Sequence, residues 1–233
     1  MSRHLPLAML AAAVAAAAPA SAADRTYSVT GFEQIRLQGP YKVRLTTGVA
    51  PYARASGSTQ ALDGISVEVN SQTLTVRRNP SASSGYPGQP AGPVEIEIGV
   101  HDLRSASVIG AGSLEISAVR GMVFALTIEG AGSAKVDNLS VDQLKLWVAG
   151  TASASLSGAA KSATFLVRGM SALDASSLAV KDAVIGSEGP AMVRANVSNA
   201  VKVTAKGASQ VMLDGAPACT VSAAGSATVS GCK

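Results

Sequence analysis

Aromatic residues make up only 3% of this 233-residue chain: one tryptophan, three phenylalanines and four tyrosines. A thick globular core needs large rings to fill its centre, so their scarcity points to thin, stacked β-structure filled by small side chains. Histidine is as scarce, and of the two only His101 lies beyond the first few residues. That leaves little for a histidine-based catalytic or zinc site. The two cysteines, Cys219 and Cys232, exclude a disulfide-dense scaffold and any CxxC metal or redox motif. No apolar run after residue 22 is long enough to span a bilayer. The formal charge of +4 is scattered among acids and forms no basic stripe, which disfavours nucleic acid as a partner.

What is present begins with an export signal. Arg3 and His4 precede an apolar run from Leu5 to Ala18, closed by Pro19-Ala20-Ser21-Ala22. The run is shorter than the roughly 20 residues of a spanning helix. Ala20 and Ala22 supply the small residues that signal peptidase requires, so residues 1–22 read as a secretory signal cleaved before Ala23. Residues 23–233 then read as one exported domain, periplasmic or extracellular, without stable membrane insertion. In an oxidising compartment Cys219 and Cys232, 13 positions apart, are expected to form a disulfide.

Glycine supplies the organising pattern. Gly110, Gly130, Gly150, Gly169, Gly189, Gly207 and Gly225 follow one another at spacings of 20, 20, 19, 20, 18 and 18. Their surroundings repeat as well, as in Gly110-Ala111-Gly112-Ser113 and Gly130-Ala131-Gly132-Ser133. A period of this length predicts a solenoid, here an all-β parallel β-solenoid resembling a right-handed β-helix, with rungs of about 18–20 residues. Glycine heads each rung because a tight bend with positive φ is cheap only for glycine. No helix-forming segment follows any of these glycines, which disfavours a phosphate-binding loop.

Alternation on either side of each glycine separates the two faces of the strands. The inward columns are Val108, Ile128, Val148 and Val167 two residues before the glycine, Leu114, Ala134, Ala154, Leu173, Val193, Val211 and Val229 four after, and Ile116, Val136, Leu156, Ala175, Ala195 and Leu213 six after. In the outward columns charges alternate in sign: Glu115 is expected to face Lys135, Asp174 to face Arg194, and Arg168, Glu188 and Lys206 to stack in sequence. Ahead of this array, Tyr27 to Val76 reads as several strands, including Ile35–Leu37, Tyr41–Leu45, Ile65–Val69 and Leu74–Val76. Residues 79–93 hold four prolines and three glycines and read as a surface loop, since strand pattern resumes at Val94.

The order Gly31-Phe32-Glu33-Gln34-Ile35, Gly39-Pro40-Tyr41-Lys42-Val43-Arg44-Leu45-Thr46-Thr47-Gly48, Leu74-Thr75-Val76 and then serial Gly-Ala-Gly-Ser rungs resembles the auto-transporter adhesin head domain called GIN. The resemblance runs along nearly all of residues 23–233. It implies a bacterial envelope or secreted β-solenoid with a role in adhesion, and it carries no catalytic residues. The chain departs from the pattern at Gly169-Met170-Ser171 and Gly189-Pro190-Ala191, where the second glycine is missing. Those rungs are expected to turn differently.

The candidate sites are few. His101 beside Asp102 reads as a polar turn before it reads as a catalytic dyad, which would need a serine placed by the fold. Glu95 and Glu97 share one strand face and read as solvated before they read as a glycosidase pair or a calcium site. Trp147 stands out because it falls in an outward column between Thr127 and Leu166. An outward tryptophan calls for a sugar ring, a protein partner or a covering segment. The expectation is therefore a non-catalytic binding module without cofactor or metal. It would hold an unknown protein or glycan at the cell envelope through Trp147, Leu166 and Thr127. The alternatives are a structural or assembly element, as a homo-oligomer or a partner of an envelope-stress system, and, less favoured, a carbohydrate-active enzyme.

Overall fold

The structure, a computed structural model, describes residues 23–81 and 92–233. The signal read at 1–22 lies outside the described residues, as do residues 82–91 of the proline-rich segment.

The chain begins with β1 (Ala23–Tyr27), β2 (Gln34–Gln38), β3 (Lys42–Thr47) and β4 (Tyr52–Gly57), followed by the short helix α1 (Thr59–Asp63). Then come β5 (Ile65–Asn70), β6 (Thr73–Arg78), β7 (Glu95–Val100), β8 (Ser105–Gly110) and β9 (Ser113–Ile116). The regular array is β10 (Val119–Gly130), β11 (Ser133–Gly150), β12 (Ser153–Gly169), β13 (Ala172–Glu188) and β14 (Met192–Gly207). It closes with β15 (Gln210–Asp214), β16 (Ala218–Gly225) and β17 (Thr228–Ser230). The array is a parallel β-solenoid of about six turns.

How a rung is built can be seen in β11. Its buried residues are Ala134 and Val136, then Leu139 and Val141, then Leu144, Leu146 and Val148. Within each group the inward residues are two apart, as pleating demands, whereas the groups are separated by three. Each three-residue step is a corner, and Asn138 takes one of them at a φ of 51°. A rung therefore has three short faces, called here first, second and third in chain order. Glycine makes the corner that returns to the first face. Gly130 sits at a φ of 107° with Gly110 directly beneath it, and a Cβ at Gly130 would lie 2.9 Å from the Gly110 carbonyl oxygen.

The inward columns predicted from the alternation are buried, apart from Val229, which is half-buried on the last coil. Successive rungs stack in register. Gly110 pairs with Gly130, Gly130 with Gly150 and Gly150 with Gly169. The shortening to 18 residues is absorbed at corners: the register of β13 on β14 shifts between Ala175 and Ala179 and again after Val180, while Ile185 still faces Val203.

At Gly169 and Gly189 the corner does change, although Ala152 already replaces the second glycine after Gly150, whose corner keeps the earlier form. Gly169 and Gly189 have φ of 80° and 87°, against 101° to 107° at Gly110, Gly130 and Gly150. Earlier corners bond backbone to backbone, Ala131 N–H donating to the Gly110 carbonyl and Thr151 N–H to the Gly130 carbonyl. At the Gly169 corner the Ser171 hydroxyl donates to the Gly150 carbonyl at 3.1 Å.

Parallel stacking takes in β2 and β3 but not every early strand. β1 runs antiparallel to β4, β4 to β7 and β5 to β6. The reversal of β5 onto β6 is made by Ser71 and Gln72, at φ of 46° and 65°. The helix α1 starts at Ser58, whose hydroxyl accepts from Ala61 N–H, and it buries Ala61 and Leu62. The amino-terminal end of the solenoid is thus closed by antiparallel strands and a helix.

The charge columns have the expected register, but the contacts are only partly those expected. Arg168 Nε bonds Glu188 at 3.1 Å. Glu115 instead accepts from Arg44 of β3 at 3.4 Å, and Lys135 turns along its own strand to Asp137 at 3.1 Å. Asp174 faces Arg194 in register but accepts its hydrogen bonds from the backbone and hydroxyl of Ser176.

Candidate functional site

On the third face, strand pairing places Ser107, Thr127, Trp147, Leu166, Gly186 and Thr204 side by side. Thr127, Trp147 and Leu166 therefore stand in one outward column, as the alternation predicted. Trp147 and Thr127 are half-buried and Leu166 is exposed. A Cβ on Gly186 would lie 2.7 Å from Leu166 Cδ2, so Leu166 leans into the space that Gly186 leaves. The Arg168 guanidinium sits over the Trp147 ring, 4.9 Å from its centroid. A cation so placed is attracted to the negative face of the ring, worth about 0.5–1 kcal/mol at an exposed site.

On the Thr127 side of the tryptophan the face sinks into a hollow of about 350 Å³ lined by Gln34, Arg36, Ser105, Ser107, Thr127 and Glu129, among others. The hollow exists because serine, alanine and threonine occupy adjacent rungs between taller neighbours. It offers an amide, a guanidinium, hydroxyls and a carboxylate. Arg36 reaches it because β2 lies parallel to β8 and places Arg36 opposite Ser107. The alternation around the glycines gave Trp147 and Thr127, but Gln34 and Arg36 lie outside the repeat and carried no such signal.

A larger groove of about 410 Å³ lies on the first face, floored by Ser133, Ser153, Ser155 and Ala172 and edged by Lys135 and Arg194. Sequence reasoning missed it. The signal was the serine three residues after each early glycine, which repeats outward as Ser113, Ser133 and Ser153.

The candidates for catalysis are placed apart. His101 and Asp102 are both exposed, and the His101 backbone carbonyl accepts from Gly48 N–H. Among the described residues no hydrogen bond joins either side chain to a serine. Glu95 is held by Lys42 at 2.9 Å and approached by Arg44 at 3.8 Å. The Lys42 hydrogen bond, followed by its charge and that of Arg44, keeps the Glu95 carboxyl below the usual glutamate range. A general acid for glycoside cleavage needs the opposite shift. No cluster of three or more His, Cys, Asp or Glu that could hold a metal ion occurs among the described residues. Cys219 and Cys232 are joined in a disulfide.

The geometry can be set beside known proteins. A putative adhesin from Bacteroides fragilis has a similar structure, with a TM-score of 0.77 at 18% identity over 90% of this chain and 96% of that one. A putative lipid binding protein from Parabacteroides distasonis gives 0.64 at 16% identity, over 91% and 96% of the two chains. A putative adhesin from Parabacteroides merdae gives 0.64 at 13% identity, over 91% and 96%. At such identities the likeness is one of fold. No protein of curated function matches the chain. Residues 31–217 match the family described as "Putative auto-transporter adhesin, head GIN domain". They take in the opening strands and nearly all of the glycine-headed rungs, and the chain belongs to that family.

Proposed function

We propose that this chain is an exported, adhesin-like binding module of the bacterial cell envelope that holds a glycan on its third face against Trp147. The observation that carries the reading is an aromatic platform beside a polar hollow: Trp147 stands outward next to Thr127, and Thr127 belongs to the lining of the hollow with Gln34, Arg36 and Glu129. A sugar ring offers C–H groups to an indole and hydroxyls to amide, guanidinium and carboxylate groups, which is the complement of this surface. Membership of an adhesin-head family supports binding as the activity. The Cys219–Cys232 disulfide supports an oxidising compartment. No described helix is long and apolar enough to cross a membrane.

The test is a glycan array probed with the wild-type protein and with Trp147→Ala, Arg36→Ala and Lys181→Ala. The first two should lose the glycans that the wild type retains, whereas Lys181, on the second face, should be indifferent. An array on which the wild type binds nothing, or on which Trp147→Ala binds equally well, overturns the reading.

A second reading places the ligand in the first-face groove, because that is the larger hollow, about 410 Å³ against about 350 Å³. Ser153→Arg would fill it. Loss of binding in that variant, with Trp147→Ala unaffected, would move the site to the first face.

A further inference from the structure

We infer that the glycan held on the third face is acidic, a chain of uronic acid residues whose carboxylates meet Arg36 and Lys145. This rests on the reading of that face as a glycan site and names the class of sugar it takes.

Charge is distributed differently on the first and third faces. On the first, signs alternate and pair across strands, Lys42 with Glu95 and Arg44 with Glu115. On the third they are sorted. Register lays three outward columns along this face: one through Gln34 and Lys145, one through Arg36 and Trp147, and one, beside the glycine corner, through Glu129 and Arg168. From β2 to β14 the first two columns carry Arg36, Lys145 and Lys202 and no Asp or Glu. The acids between those strands, Glu129 and Glu188, stand in the third column. Among the described residues neither Arg36 nor Lys145 is in an ion pair, whereas the Arg168 charge is answered by Glu188 at 3.1 Å.

The two unanswered cations face each other across the hollow of about 350 Å³. Its floor is Ser105, Ser107 and Thr127, on the two strands that separate β2 from β11. Gln34 and Arg36 wall one end. Lys145, beside Ala125, and Trp147, beside Thr127, border the other. Three strand spacings put β2 and β11 about 14 Å apart, which suits a short oligosaccharide better than a single ring. A neutral sugar would give these cations hydroxyls alone. A carboxylate gives each a charge-assisted bond, about twice as strong and bidentate at the guanidinium. Every ring of a uronic acid chain also has a C–H face for the indole. Glu129, at the far column from Lys145, is left to accept from sugar hydroxyls.

The test is titration calorimetry with tetrasaccharides of galacturonate, mannuronate and guluronate, each beside its methyl ester, which keeps the ring and removes the charge. The wild type should bind at least one acid more than about tenfold more tightly than its ester. The preference should shrink at high salt, because both cations are exposed. Arg36→Gln and Lys145→Met should each weaken binding of the acid by about tenfold and leave binding of the ester within about twofold. Lys181→Met removes the same charge from the second face and should behave as wild type, whereas Trp147→Ala should lose acid and ester alike. Acid and ester bound equally well would overturn the acidity and leave the glycan site standing. A preference for acid that survives in both Arg36→Gln and Lys145→Met, or that falls as far in Lys181→Met, would overturn the proposal by assigning it to net charge. A wild type that binds none of the three acids overturns it too, and the glycan array described above then shows whether the site falls with it.

Discussion

The Arg168 guanidinium lies over the Trp147 ring, 4.9 Å from its centroid, and the same side chain bonds Glu188 at 3.1 Å. The cation is held between an acid on the next rung and an indole on the one before. Trp147 is the only tryptophan in the sequence, so intrinsic fluorescence reports on this spot alone. Arg168→Ala should shift the emission to the red and raise quenching by iodide. The unfolding free energy should fall by no more than about 1 kcal/mol, because both contacts are exposed. An unchanged spectrum would count against the contact in solution.

Two glycines with positive φ should respond differently to alanine. Gly48, at 77°, has nothing within 4 Å of an added Cβ, whereas Gly130, at 107°, would bring its Cβ to 2.9 Å from the Gly110 carbonyl. Gly48→Ala should cost about 1 kcal/mol, the price of the left-handed conformation alone. Gly130→Ala should cost about 3 kcal/mol, since overpacking between rungs is added to it. Urea unfolding of the two variants measures the difference, and equal losses would contradict the stacked corner.

The disulfide should act locally. Closing a 13-residue separation is worth about 3 kcal/mol if the unfolded chain is its main target. In a solenoid, however, each coil leans only on its neighbours. Cys219→Ser with Cys232→Ser should therefore speed hydrogen exchange in β16 and β17 and leave β10 to β12 protected. Uniform acceleration along the chain would show that the coils unfold as one unit.

Acid should destabilise the protein through carboxylates held below their ordinary range. Glu95 is lowered chiefly by the hydrogen bond from Lys42, and Asp174 chiefly by its bonds from Ser176. In the folded state these groups resist protonation more than in the unfolded chain. Their contribution is therefore complete above the ordinary carboxylate range and is lost as pH falls through the lower, folded values. Tm measured by calorimetry should begin to fall near about pH 4. The decline should be shallower in Lys42→Met and at high salt.

Much of the fold is written locally in the repeat. Val148 is buried in a column with Ile128 one rung before it and Val167 one rung after, and a column of that kind can be read directly from spacing. The column of Thr127, Trp147 and Leu166 follows by the same logic. What lay outside the repeat was not legible. The antiparallel β1 and β4 pair across a long stretch of sequence, and nothing in Tyr52–Gly57 distinguishes its direction. Lys135 turned away from Glu115 because Arg44, 71 residues before Glu115, already holds that carboxylate. The cation over Trp147 was also missed. Register names the residue directly opposite, here Leu166, whereas Arg168 reaches across from a diagonal position.

The closed amino-terminal end has a consequence for how the chain assembles. Among the described residues it is the one place where the solenoid completes itself by antiparallel pairing and a helix, and every later coil is laid on the edge of the coil before it. A finished edge is a template, and the cost of closing a coil of about 20 residues is modest once that template stands. A chain delivered amino end first meets each edge before the next coil arrives. It need hold only one coil of unpaired strand at a time, and Cys219 and Cys232 come together when the last coil has been laid.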